Sequence, residues 1–232
     1  MVLELCGGGD VFTKVVERHY YSEYEARFMA KCLLESIKYM HECGIAHRDL
    51  KPDNLLLAKQ GNDVHVKIAD FGFSAKTRIG GMNIPLTQRC GTPAYVAPEV
   101  LTGGPYDERV DMWSAGCILY FVLGGYPAFV DDKPKALFHK ILKGEYEFHD
   151  EDWSHVSAEA KDLVRGLLTV DVNKRLTACQ ALKHPWISKS SQRRPTQQGV
   201  CNVNTNITTH LQQQLNVQYD ETLDAGQTSS EC

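Results

Sequence analysis

The segment that most constrains this chain is the loop "HRDLKPDN", His47 to Asn54, together with "DFG", Asp70 to Gly72. The loop follows a segment of helical periodicity, Ser22 to Gly44, and precedes two short strand-like runs around Gly61-Asn62-Asp63. The pattern therefore predicts a helix, a polar loop and a β-hairpin in that order, with the second motif directly after the hairpin.

The predicted helix carries signals at both of its ends. Ser22 is followed three residues later by Glu25, which is the capping-box arrangement, and Gly44 can end the helix in the left-handed conformation. Irregular chain is expected from Ser74 to Cys90. Beyond it, helical patterns recur at Arg109–Val122, Pro134–Lys143, Ala158–Leu168 and Ala178–Leu182.

The two motifs supply the kinds of group that phosphoryl transfer requires. That reaction needs a carboxylate to orient a hydroxyl and accept its proton, a cation to neutralise the phosphoryl charge, and oxygen ligands for magnesium. Asp49, Lys51 and Asn54 provide these groups within one loop, and Asp70 adds a second carboxylate. A lone Asp-x-Lys would be an ordinary surface loop, but both motifs in this order argue against chance.

Residues 1 to about 187 resemble the large, C-terminal lobe of a eukaryotic serine/threonine protein kinase. Beyond the two motifs, the resemblance includes "APE", Ala97 to Glu99, and "DMWSAGCILY", which is similar to the central buried helix of that family. "KPDN" and "GTPAYVAPE" match the Ser/Thr branch, and residues 146–187 are similar to the calcium/calmodulin-dependent kinase group. The resemblance implies a mainly α fold, a helical bundle with a small β-hairpin region.

The resemblance also implies roles for the residues of the two motifs. Asp49 would be the catalytic base, Lys51 would contact the γ-phosphate of ATP, and Asn54 and Asp70 would bind Mg²⁺. Thr92 would bridge Asp49 and Lys51 in the Ser/Thr branch.

Three further positions are implied to be structural. Asp111 would brace the catalytic loop, and Arg175 would pair with Glu99 of "APE" in a buried ion pair.

The opening "MVLELCGGGD" contains three glycines behind an apolar run, a pattern that also occurs in phosphate-binding loops. By resemblance, however, this segment links the two lobes of a kinase, and its glycines turn the chain out of the cleft. The implied ATP-binding positions are Leu3 as gatekeeper, Glu4 and Cys6 at the adenine, Asp10 at the ribose and Leu56 beneath the adenine ring.

A kinase glycine loop, G-x-G-x-x-G followed by a strand lysine, does not occur in these 232 residues. We therefore expect the small lobe to be missing and the chain to be weak or inactive alone. A truncated gene product is favoured over a naturally lone lobe. The alternative to an enzyme is a non-catalytic, kinase-like scaffold or substrate-docking module.

Regulation by phosphate is suggested by Arg48, because kinases with an arginine before the catalytic Asp often use it to bind a phosphorylated activation loop. Related kinases place a threonine where this chain has Gln88, so Thr87 becomes the candidate target of an upstream activating kinase. An ordinary loop threonine is the alternative.

Substrate preference is suggested by charge. Asp10 and Asp53 occupy positions at which relatives recognise an arginine before the target hydroxyl. We expect protein substrates with basic residues before Ser or Thr.

Composition limits the remaining function classes. A net charge of −4 predicts no nucleic-acid or membrane binding, and eight cysteines without a C-x-x-C pair predict reduced thiols. These features favour a cytoplasmic location, with the nucleus as an alternative. The chain divides into a kinase-like domain, residues 1–187, and a polar tail, residues 188–232, which we expect to be disordered and which shows no calmodulin-binding helix.

Overall fold

Helices form most of the regular structure in residues 4–188, the part of the chain that the computed structural model describes. The helices are α1 (Val11–Arg18), α2 (Glu23–Glu42), α3 (Pro98–Thr102), α4 (Val110–Gly124), α5 (Pro134–Lys143), α6 (Asp150–Trp153), α7 (Ala158–Leu167), α8 (Ala178–Leu182) and α9 (Pro185–Ser188). The strands are β1 (Ile45–Ala46), β2 (Leu55–Lys59), β3 (Asn62–Ile68), β4 (Ala75–Lys76), β5 (Arg78–Ile79) and β6 (Met82–Asn83), paired antiparallel as β1–β4, β2–β3 and β5–β6. The prediction of a mainly α chain with a small hairpin region is confirmed, whereas the tail prediction lies outside the described residues.

Helix α4 forms the centre of the core. Its residues from Val110 to Leu123 are all buried, including the polar Asp111 and Ser114. A Cβ atom at Gly116 would lie 2.8 Å from the side chain of Leu168, so glycine is what allows the chain after α7 to approach this closely. The helix runs two residues beyond the predicted Val122, to Gly124.

Helix α2 packs against α4 and begins at the predicted cap. The Ser22 side chain accepts a hydrogen bond from the Glu25 backbone, and the Glu25 side chain accepts one from the Ser22 backbone, which completes the capping box. Gly44 follows the helix with a positive φ of 68°, as the pattern predicted.

Glu23, at the start of α2, ties this helix to the C-terminal end of the described chain. Its carboxylate accepts hydrogen bonds from the Ser157 backbone and hydroxyl, both at 2.8 Å, and from Trp186 Nε1 at 2.7 Å. Burial alone would raise the pKa of Glu23, but these hydrogen bonds together with Arg27 hold it below its ordinary value.

The hairpin β2–β3 receives the glycine-rich opening segment along its edge. The Gly8 N–H donates to the Leu57 carbonyl at 3.0 Å, and the Leu57 N–H donates to the Gly9 carbonyl at 2.8 Å. A Cβ atom at Gly8 would lie 2.6 Å from the Cβ of Leu57, so a side chain there would collide with the strand. Gly8 therefore serves close backbone packing.

The structure differs from the sequence-based prediction at two places. Helix α1 was not predicted from its short pattern, and Asp10 is its N-cap. The hairpin turn lies at Gln60-Gly61, since Lys59 pairs with Asn62, one position earlier than predicted. Among the helices of residues 4–188, none combines the length and hydrophobicity that a membrane span requires.

Candidate active site

The loop after β1 brings the predicted catalytic side chains together. Asp49 is buried, and its Oδ1 accepts a hydrogen bond from Thr92 Oγ1 at 2.7 Å. Lys51 Nζ donates to the same Thr92 oxygen at 3.1 Å and lies 3.5 Å from Asp49 Oδ2. These three side chains therefore form a closed triangle, although Thr92 follows Asp49 by 43 residues.

Asn54 is fixed within the same loop and against the hairpin. Its Nδ2 donates to the Asp49 carbonyl at 2.9 Å, and its own carbonyl accepts from the Ala69 N–H at 2.9 Å. Because Leu55 pairs with Ile68, Asn54 and Asp70 lie at the same end of the hairpin β2–β3. The side-chain oxygen of Asn54 stays available, since the amide nitrogen makes the contact with Asp49.

Asp70 lies on an exposed loop in a strained backbone conformation. Its φ is +57°, which is uncommon for a residue other than glycine, and its Oδ1 accepts from the Gly72 N–H at 3.1 Å. Within residues 4–188, no three His, Cys, Asp or Glu side chains converge on a metal-binding cluster. One carboxylate and one amide oxygen are nevertheless a donor set that suits Mg²⁺, which also takes phosphate and water oxygens.

Asp111 braces the loop from the buried helix α4. Its carboxylate accepts from the backbone N–H groups of His47 and Arg48, both at 2.9 Å, and Arg48 has a positive φ of 72°. His41 Nε2, at the end of α2, lies 2.9 Å from the same carboxylate. Sequence reasoning missed His41, because only the packing of α2 against α4 places it there.

The resemblance paired Arg175 with Glu99, and the structure places them in contact. Arg175 donates to the two Glu99 oxygens at 2.6 and 2.9 Å, and its side chain is fully buried. Three further donations reach the Thr169 carbonyl at 2.9 Å, the Arg109 carbonyl at 3.0 Å and the Val170 carbonyl at 3.4 Å. The bidentate pair joins α3 to the segment before α8.

Of the implied ATP-binding positions, Leu3 lies outside the described residues. Glu4 is exposed and paired with Lys67, which lowers the pKa of Glu4, and Cys6 carries a partly buried free thiol. Leu56 lies in β2, partly buried and facing Asp10 in an isolated β-bridge.

The Asp10 carboxylate caps the start of α1. It accepts from the Thr13 N–H at 2.7 Å and from the Thr13 hydroxyl at 2.9 Å. The resemblance implied that Asp10 meets the ribose of ATP; in the structure both of its oxygens also serve as a helix cap.

The two remaining positions lie at the rim of the site. Loss of solvent around its carboxyl group raises the pKa of Asp53, and nearby Asp10 and Asp49 act in the same direction against Lys51. Thr87 is exposed on the loop before Thr92.

Comparison of the sequence with known proteins gives matches over the residues that build this site. The family model described as "Protein kinase domain" matches residues 1–187. The chain is 47% identical to myosin light chain kinase A of Dictyostelium discoideum over 82% of its own length and 64% of that protein. It is 47% identical to calcium/calmodulin-dependent protein kinase type 1 of Macrobrachium nipponense and 48% identical to type IV of Homo sapiens, over 81% of this chain in each case.

The chain spans only part of these relatives, from 39% of the human protein and 53% of the Macrobrachium protein to 64% of the Dictyostelium protein. The matched region nevertheless contains every element that builds the triangle of Asp49, Lys51 and Thr92. Since loop geometry and family match coincide along the chain, we conclude that it belongs to the protein kinase domain family.

Proposed function

We propose that these residues form the large lobe of a serine/threonine protein kinase, which transfers the γ-phosphoryl group of Mg-ATP to hydroxyl groups of protein substrates. The observation that carries the proposal is the hydrogen-bonded triangle of Asp49, Lys51 and Thr92. A scaffold has no physical need for a buried carboxylate held beside a lysine, since burying charge is costly unless it is paired or used.

The two oxygens of Asp49 have different contacts and therefore different roles. Oδ1 is committed to the Thr92 hydroxyl, so Oδ2 is the oxygen that can orient a substrate hydroxyl and accept its proton. Lys51 lies 3.5 Å from Oδ2 and can neutralise charge that develops on the transferred phosphoryl group.

Mg-ATP fits the side chains at the end of the hairpin. The Asn54 amide oxygen and the Asp70 carboxylate are hard oxygen donors, as Mg²⁺ prefers, and they would hold the ion against the phosphates. When bound, the ion supplies positive charge to the phosphate oxygens.

The 232-residue chain alone should transfer phosphoryl groups slowly. Its sequence contains neither G-x-G-x-x-G nor a following strand lysine, and both position the phosphates in kinases. The second candidate function, a docking module, is favoured by two exposed apolar side chains, of which Phe71 belongs to "DFG": Leu5 is 90% exposed and Phe71 is 50% exposed.

Substrate preference for basic residues rests on Asp53 rather than on Asp10. Asp53 is exposed beside the catalytic loop, whereas both oxygens of Asp10 cap α1. A substrate guanidinium would find an acceptor at Asp53. An upstream kinase acting on Thr87 has weaker support, because exposure is the single feature that favours it.

The decisive experiment compares the 232-residue chain with a fusion that adds the segment preceding the matched region of a relative, such as myosin light chain kinase A of Dictyostelium. The fusion should phosphorylate a peptide with labelled Mg-ATP. Asp49→Asn should lower the turnover by roughly 100- to 10,000-fold, as expected for loss of a general base. Asp150→Asn, at an exposed carboxylate in the first turn of α6, is the matched control.

Near-normal turnover of the Asp49→Asn fusion would contradict the assignment of the base. A folded fusion that binds nucleotide but transfers nothing would favour the docking module instead.

A further inference from the structure

The side chain of Arg48 connects three separate segments of the site. Its Nε donates to the Phe73 carbonyl at 2.6 Å, its Nη1 to the Tyr106 hydroxyl at 3.2 Å, and its Nη2 to the Gln88 side-chain oxygen at 3.3 Å. Asp49, the next residue, is therefore coupled through the backbone to the "DFG" segment and to residues 74–90, here called the activation segment. No carboxylate in residues 4–188 forms an ion pair with this guanidinium, so its acceptors are neutral oxygens.

Gln88 is held at two points. Its side chain accepts from Arg48, and its backbone carbonyl accepts from the Tyr106 hydroxyl. Two residues earlier, Leu86 and Tyr106 exchange backbone hydrogen bonds, both at 2.8 Å. The activation segment is thus fixed to Tyr106 and to Arg48 within three residues.

We propose that Gln88 is a positioning residue that holds the activation segment against the catalytic loop through Arg48, without phosphate on that segment. An amide oxygen is an adequate acceptor for a guanidinium, and it occupies the position at which related kinases carry a threonine. Exposed Thr87 makes no hydrogen bond with Arg48 in the described structure. The hydrogen bond between Arg48 and Gln88, called the tie below, therefore does not involve Thr87. The catalytic consequence rests on the proposed kinase function, whereas the tie itself does not.

A carboxylate at position 88 should strengthen the tie, an effect not expected at a surface glutamine without this contact. Because the guanidinium has only neutral acceptors, a carboxylate at position 88 would form a charge-assisted hydrogen bond, which is roughly twice as strong as a neutral one. Gln88→Ala should therefore loosen the segment, and Gln88→Glu should restore or strengthen it.

Hydrogen exchange on the full 232-residue chain, produced in bacteria and shown by intact mass to carry no phosphate, tests this directly. The Ile84 and Leu86 amides, which donate to the Thr77 and Tyr106 carbonyls, should be protected in the wild-type chain. Gln88→Ala should speed their exchange by roughly two- to tenfold, the range expected for loss of one hydrogen bond. Gln88→Glu should exchange no faster than the wild type, and Thr87→Ala should leave the protection unchanged.

Gln60→Ala, in the exposed turn between β2 and β3, is the matched control and should leave the exchange of the Ile84 and Leu86 amides unaffected. In the fusion kinase, Gln88→Ala should lower kcat/KM several-fold and Gln88→Glu should restore it. Unprotected amides in the wild-type chain, no effect of Gln88→Ala, or an equal effect of Thr87→Ala would overturn the proposal. Exchange is measured without turnover, so an inactive fusion would count against the kinase function and not against this tie.

Discussion

Removing Glu99 should destabilise the chain far more than removing a surface carboxylate. The Arg175 side chain that it pairs with is fully buried, and Glu99 is 15% exposed. In Glu99→Ala the guanidinium keeps the carbonyl oxygens of Thr169, Arg109 and Val170 but loses both carboxylate oxygens. The buried positive charge is then left without a counter-charge.

The magnitude follows from these contacts. Breaking one side of a buried ion pair costs about 3–5 kcal/mol, and the three remaining carbonyls place Glu99→Ala near the lower end. Arg175→Ala should cost more, because these carbonyls also lose their donor and a cavity remains. With a urea slope of about 2–3 kcal/mol/M, Glu99→Ala should lower the unfolding midpoint by about 1–1.5 M.

Urea unfolding followed by tryptophan fluorescence and circular dichroism measures both variants. Trp113 is a suitable probe, since the Arg175 guanidinium lies 5.2 Å from its ring centre. The control is Glu42→Ala, which removes the exposed pair of Lys38 and Glu42 at 2.7 Å and should lower the midpoint far less than Glu99→Ala. If Glu99→Ala cost no more than Glu42→Ala, the reasoning from burial would be refuted.

Three further predictions concern single residues. Gly8→Ala should lower the unfolding free energy by about 1–3 kcal/mol in urea, because its Cβ would meet β2, whereas Gly7→Ala, which meets open space, should change it little. The folded-state pKa of Glu23 lies below the ordinary 4.5, so its contribution to stability is present above that pH and is lost as the pH falls. Glu23→Gln should therefore flatten the decline in unfolding free energy between about pH 5 and pH 3, and an unchanged decline would contradict the sign. Asp53→Ala in an active fusion should weaken the preference for arginine before Ser or Thr on a peptide array, and an unaltered preference would remove Asp53 from substrate recognition.

Local signals in the sequence predicted most of the helices and the residue types of the site. The capping box of Ser22 and Glu25 and the positive φ of Gly44 depend on backbone groups only a few residues away, so they are readable from the sequence. The two motifs likewise place Asp49 before a predicted hairpin and Asp70 directly after it in the chain, which brings them to the same end of the hairpin. Short helix α1 was missed, because eight residues provide too few turns for a clear period.

Tertiary packing alone decided which of these groups touch. His41 reaches Asp111 across 70 residues, and Arg48 reaches Gln88 across 40. Buried helix α4 carries Asp111, and the bridge between Leu86 and Tyr106 holds the chain next to Gln88. The Asp10 carboxylate caps a helix that the sequence did not reveal, so this contact could be identified only from the structure. The sequence specifies the type of each side chain, but the hydrogen-bond partner of that side chain depends on which segments the core brings within about 3 Å of it.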